Sequence, residues 1–280
     1  MSSAVRGYYE RGTSESTVGW LERQSAEATR GYAMKPLTFK TVLIAVTVFQ
    51  SWSWCNDLRE ADSLYRIGDA EHIGASIKRY ARALAQSPND YNVLWKYSRA
   101  CRDFGDLAKM SLRDGWKKTC AEYGKRAMSL AEKAIEIDPS RVEAHFQYGL
   151  AVGTYSDGVS ILTALKEGLK DKTQKSLERA VRIDKTHNDA GPCLALGRFW
   201  AVVPWPFKNT KKALRCYREY LSLSSREIQK HERLLYVGEL LVELGEANYA
   251  EARKHLRTAE KSEKPFIRQR ATELLARIGP

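Results

Sequence analysis

Cysteine, proline and long apolar runs are all scarce in this chain of 280 residues. The five cysteines, Cys55, Cys101, Cys120, Cys193 and Cys216, are scattered and form no C-x-x-C pair. That spacing excludes a zinc ribbon or a dithiol redox site, and an odd, low count does not build a disulfide framework. Isolated free cysteines behave as small apolar residues, so packing roles are expected for them. Eight prolines and 18 glycines are too few for a collagen-like or low-complexity chain. No uncharged stretch approaches the ~18–20 apolar residues of a membrane-spanning helix. Also missing are G-x-x-x-x-G-K-[ST], G-x-S-x-G, H-E-x-x-H and the dinucleotide-binding glycine fingerprint after a strand. The five histidines stand apart without a second ligand at metal spacing, and no carboxylate dyad is evident. An enzyme, a cofactor and a metal site are therefore not expected.

Charge is abundant. Lys and Arg number 46 against 34 Asp and Glu, a formal net charge of +12, and 43% of residues are apolar. The apolar share supports a folded body, and the cationic surplus favours acidic partners. The basic run Lys208, Lys211, Lys212 and Arg215 comes without a reader helix or a stacking sheet, which does not favour nucleic acid.

The amino-terminal segment differs from the rest. Residues 1–33 mix glycine, serine and both charges with little periodicity; they are read as disordered or as lying upstream of the true start, with Met1 and Met34 both open as that start. Met34, Lys35 and Lys40, the apolar run 42–49 and Ser51-x-Ser53 follow the three-part pattern of a secretory signal peptide. Residues 34–53 are thus expected to direct export to a periplasmic or extracellular location. Burial in the folded body, an amino-terminal membrane anchor and a cytoplasmic location are the alternatives.

Beyond residue 56, apolar and small residues recur at helical three-to-four spacing without sustained strand alternation. Five stretches share one triad: Ser76/Tyr80/Ala83, Ala127/Ala131/Ala134, Thr173/Leu177/Ala180, Ala213/Tyr217/Tyr220 and Ala252/Leu256/Ala259. Three are closed by Pro88, Pro139 and Pro265, which lack an N–H and end helices. Partner helices carry a large residue, then Leu or Tyr, then a small one, as in Trp95-Lys-Tyr-Ser98, Phe146-Gln-Tyr-Gly149, Leu194-Ala-Leu-Gly197 and Leu235-Tyr-Val-Gly238. Residues 151–171 interrupt the third pair, and their stripe of Ile161, Leu162, Leu165 and Leu169 predicts an inserted amphipathic helix. The run Val203-Pro-Trp-Pro-Phe207 predicts a rigid corner in the fourth pair, and Asn188 and Asp189 are placed to cap the helix containing Pro192.

Helical pairs of this form over roughly 58–276 resemble the tetratricopeptide superfamily. Ala61–Tyr65, Leu94–Ala100, Gly124–Ala127, Ala180–Asp184 and Leu196–Trp200 are similar to the regulator of microtubule dynamics family and its bacterial relatives. The resemblance implies an all-α, right-handed α-solenoid of about five irregular hairpins over 56–280, with an extra helix in the third and a cap near 266–278 bearing Arg268, Gln269 and Glu273. In eukaryotic members it implies association with microtubules, the spindle or mitochondria. It also implies that the first helix of each hairpin lines the concave face, which makes Lys96, Arg99, Phe146, Leu150, Leu194 and Arg198 the candidate partner-binding residues. Basic and apolar side chains together suit an acidic, apolar peptide. The expected function is a non-catalytic scaffold for a protein segment. The alternatives are a microtubule-type regulator and a small-ligand carrier or enzyme with a pocket near Trp205.

Overall fold

The computed structural model describes residues 56–225 and 230–279, and the segment read as a signal peptide lies outside them. Among the described residues every regular element is helical. Residues 56–67 form α1, followed by α2 (Ala70–Gln86), α3 (Tyr91–Met110), α4 (Trp116–Ile137), α5 (Val142–Val159), α6 (Ile161–Lys166), α7 (Leu169–Ile183), α8 (His187–Val202), α9 (Thr210–Leu223) and α10 (Lys230–Glu243). After a short 3-10 turn come α11 (Tyr249–Ala259) and α12 (Pro265–Ile278). Local chemistry sets several starts. Asp69, Asp90, Ser160 and Asn209 each accept a hydrogen bond from a first-turn N–H that has no intrahelical partner.

The helices pair as α1/α2, α3/α4, α5/α7, α8/α9 and α10/α11, with α12 as the cap, and stack as a right-handed α-solenoid. All five triads are buried. The partner helices meet them through glycine: a Cβ at Gly149 would lie 2.2 Å from Leu177, one at Gly197 2.5 Å from Tyr217, and one at Gly238 2.7 Å from Leu256. The third, fourth and fifth hairpins therefore close by seating a large second-helix side chain over a residue with no side chain of its own. Cys101, Cys120 and Cys193 are buried and free, as packing cysteines should be.

One apolar cluster holds hairpins one to three and another holds hairpins four and five with the cap. Met110, at the end of α3, belongs to the second cluster, and Phe266 of α12 lies beneath the Lys109 ammonium at 4.7 Å. The array therefore curls until its cap meets the second hairpin. Arg268, Gln269 and Glu273 are exposed on that cap.

Three details differ from expectation. The insertion is shorter than 151–171, because α5 runs on to Val159 and the extra helix α6 has six residues. Its stripe is not a buried face: Ala164 is the buried residue of α6, while Ile161 and Leu162 are exposed. Asn188 and Asp189 are not simple caps either. With Ala190 they form a left-handed turn, φ 49°, 60° and 59°, a conformation disfavoured for residues with a Cβ. Buried Arg233 holds the Asp189 carboxylate at 2.6 Å, and Ser224 Oγ and Ser225 N–H also donate to it. The turn is thus fixed by tertiary contacts from the following hairpin.

Gly197→Val should destabilise the fold by about 2 kcal/mol or more, because Tyr217 is fully buried and has no room to retreat. Gly153, in the same type of helix but open, is the control: Gly153→Ala should stabilise by about 0.5–1 kcal/mol. Chemical denaturation of the two variants measures both effects.

Candidate partner-binding groove

The first helices of the hairpins, α1, α3, α5, α8 and α10, with Tyr80 of α2 and the cap α12, carry two networks of polar side chains that bond between helices, one over α1, α3 and α5 and the other over α8, α10 and α12. At the amino-terminal end Lys96 Nζ donates to Asp62 Oδ2 at 2.6 Å, and Tyr80 Oη donates to the other oxygen of that carboxylate at 2.6 Å. Arg99 lies over the ring of Tyr65 at 4.0 Å and that of Trp95 at 4.9 Å, and Tyr65 Oη donates to Asp103. Arg102 pairs with Asp103 and Asp106, and Thr154 of α5 donates to Asp106 at 2.7 Å. Lys109 pairs with Asp157 at 2.7 Å. At the carboxy-terminal end Arg198 grips Glu239 at 2.6 Å and covers the ring of Tyr236 at 4.5 Å, while Arg270 of α12 holds the second oxygen of Glu239 at 2.8 Å.

Burial and pairing set the charges. Burial disfavours the Arg102 cation, but Asp103 and Asp106 outweigh it and keep the guanidinium above its ordinary range. Asp106 goes the other way: burial pushes its carboxyl up to about 6, opposed by Arg102 and aided by Asp103. Burial also acts against Glu239, yet Arg198 and Arg270 together hold its carboxyl below the usual range. A cleft of about 360 Å³ opens at this end, lined by Arg198, Lys208, Tyr236, Glu239, Arg270 and Arg277 among others. It borders the Val203–Phe207 corner through Val202 and Lys208, while Trp205 itself projects away, 87% exposed.

Lys96 and Arg99 fall on the first of these networks and Arg198 on the second. Phe146 is placed differently: it is buried, with its ring over Gly191 and edge-on to His187 at 5.6 Å. Leu150 packs half-buried beside it, and Leu194 does the same against Ala190, Cys193 and Tyr220. Sequence reading missed Asp62, Tyr65, Arg102, Asp106, Glu239 and Arg270. Their signal on α3 is a charged stripe at helical spacing, Lys96, Arg99, Arg102 with Asp103, Asp106 and Lys109. Among the described residues no group of three or more His, Cys, Asp or Glu could hold a metal, and no helix is long and apolar enough to cross a membrane.

The sequence profile of the family described as Regulator of microtubule dynamics protein 1-3 matches residues 57–203, more than half of the chain. The chain belongs to this family. Two relatives named Regulator of microtubule dynamics protein 1, from Mus musculus and Bos taurus, are each 28% identical over 123 residues. That stretch is 43% of this chain, and it spans 37% of the mouse protein and 36% of the bovine one. TTC0263, a thermophilic tetratricopeptide protein of Thermus thermophilus, superposes with a TM-score of 0.56 at 19% identity. It covers 80% of this chain and 99% of its own, which shows the tetratricopeptide-like fold.

The raised carboxyl of Asp106 gives a pH signature. Its folded-state value lies above the roughly 3.9 of an unfolded aspartate, so the native state binds this proton more tightly. The stabilisation is therefore full below the unfolded value and is lost as pH rises through about 6. Asp106→Asn removes this dependence, so its stability relative to the parent should rise between roughly pH 4 and pH 6. Denaturation curves across that range check this; parallel curves would mean that Arg102 keeps the carboxylate ionised throughout.

Proposed function

We propose that the protein is a non-catalytic interaction scaffold that binds an acidic, apolar protein segment along its concave face. The observation that carries this reading is the two groups of cations beside aromatic rings, Lys96 and Arg99 with Tyr65 and Trp95 at one end of the array and Arg198 and Arg270 with Tyr236 at the other. Each of these cations is held in place by a carboxylate or an aromatic ring of a neighbouring helix. Held cations present their remaining N–H groups without the ordering cost of a free side chain, which favours capture of a partner carboxylate. Leu150 and Leu194 supply half-buried apolar edges, and Phe146 supports that wall from behind. The apolar run after Met34 supports export as the route to a partner.

Family membership supports a second reading, a cytoskeleton-associated regulator of the type named in the mouse and bovine relatives. The basic surplus is compatible with it. A pocket function near Trp205 has a weaker basis, because Trp205 is not among the residues that line the adjacent cleft.

Fluorescent ten-residue peptides alternating Glu with Leu or Phe test the groove by anisotropy on the full chain, against the same peptides with Lys in place of Glu. The acidic series should bind preferentially. Lys96→Gln combined with Arg198→Gln should weaken it by more than about tenfold, since hydrogen bonds to charged groups contribute about 1.5–3 kcal/mol each. Unchanged affinity in a variant with native thermal unfolding would retire this groove, and co-sedimentation with microtubules in its place would establish the second reading.

A further inference from the structure

The large apolar side chains that remain exposed are not spread evenly. Nine are exposed among the described residues, and six of them sit at the turns that join the two helices of a hairpin: Ile67, Leu112, Ile161, Leu162, Trp205 and Phe207. Antiparallel pairing of the helices puts all these turns on one edge of a solenoid, away from the concave face. Three contacts tie neighbouring turns together on that edge. Lys109 at the end of α3 pairs with Asp157 at the end of α5; Lys170 at the start of α7 lies 4.4 Å over the Phe207 ring; and Lys208 pairs with Glu243 at the end of α10.

The three central turns of that edge are cationic, whereas the first carries Asp69 and Glu71 and the last Glu243 and Glu246. Residues 203–212 contain Lys208, Lys211 and Lys212 with no carboxylate. Residues 111–118 set Arg113, Lys117 and Lys118 against Asp114, and residues 160–172 set Lys166, Lys170 and Lys172 against Glu167 and Asp171, with Lys170 paired to Asp171 at 2.7 Å. Trp205 stands furthest out, 87% exposed between Pro204 and Pro206, on a corner closed by the Phe207 and Lys208 N–H groups donating to the Pro204 carbonyl. A tryptophan held in water on a braced corner, with Lys211 following in the same turn, has the chemistry of a membrane-interface anchor, its ring at the headgroup level and ammonium groups on anionic headgroups. A protein partner would need a continuous apolar patch with pockets; separate tips on successive turns suit a deformable surface instead.

We infer that this turn-bearing edge docks on an anionic lipid bilayer, with Trp205, Phe207 and Leu162 entering the interface and Lys118, Lys166 and Lys211 of the three central turns holding the headgroups. The edge borders the concave face at Lys109–Asp157 and at Lys208, which also lines the cleft, while Trp205, Phe207 and Leu162 lie outside that cleft and leave the groove open to its own partner.

The experiment is vesicle co-sedimentation of the full chain, using phosphatidylcholine alone and phosphatidylcholine with about 30% phosphatidylserine, an anionic lipid of the kind that attracts basic segments. The full chain keeps residues 34–53 in every variant, so any change belongs to the edge. The parent should prefer the anionic vesicles. Trp205→Ser with Phe207→Ser should lower that binding at least about tenfold, as expected for withdrawing two aromatic side chains from an apolar environment. Lys118→Gln, Lys166→Gln and Lys211→Gln should each lower it about fivefold on anionic vesicles, and leave binding to the neutral ones unchanged. Trp205 is exposed, so thermal unfolding of the serine variant should match the parent. Binding unaffected by the aromatic pair would overturn the inference, as would vesicle binding indifferent to lipid charge. A parent that binds duplex DNA as tightly as vesicles, losing both with the lysines and neither with Trp205, would show an edge that reads charge alone. Self-association in the absence of lipid that disappears with Trp205→Ser would assign the edge to a second copy of the chain.

Discussion

The fold depends on how closely the two helices of a hairpin approach. Leu177, Tyr217 and Leu256 each project from a second helix onto Gly149, Gly197 or Gly238 of its partner, and the flanking Ala residues let the backbones come near enough to exclude water. Helices packed this tightly have few ways to tilt, so the rotation from one hairpin to the next is set by side-chain volume. The curl that brings α12 to α3 is the sum of those rotations. Both the concave face and the turn-bearing edge follow from it.

Tight packing on one side leaves each first helix with a face that no second helix covers, and on α3 that face is charged. In a concavity such groups are partly withdrawn from water, so a lone cation there would be costly. The protein answers with pairs that cross between helices: Asp62 with Lys96, Asp106 with Thr154, Asp157 with Lys109, Glu239 with Arg198 and Arg270. Pairs of this kind add less to stability than packing does, but each has one good arrangement and so orders the groove surface. The carboxyls of Asp106 and Glu239 are displaced in opposite directions, the first raised chiefly by burial and the second lowered against burial by Arg198 and Arg270.

Much of this architecture was legible in the order of residues. Triads at helical spacing that begin with a small residue mark a helix that must sit against another, and all five of them are buried. The cap was legible through its polar outer face. The insertion was legible as a helix, but its length was not: Ala151–Val159 carries the same apolar and small residues whether it ends an inserted segment or prolongs α5. Phe146 fits an inward-facing aromatic as well as it fits a groove residue, and the deciding fact is Gly191, 45 positions further on in the chain, beneath its ring.

Stacked helical pairs follow from the order of residues alone, because three-to-four periodicity and small residues at the contact points are local properties that each hairpin satisfies within itself. Which charges face each other is a matter of three-dimensional packing. Arg198, Glu239 and Arg270 lie on three different helices, and Asp189 and Arg233 on two, at separations that no local pattern encodes. The same holds for the edge that gathers Leu162, Trp205 and Phe207, since its alignment depends on the accumulated twist of the array, which arises from packing between hairpins and not within them.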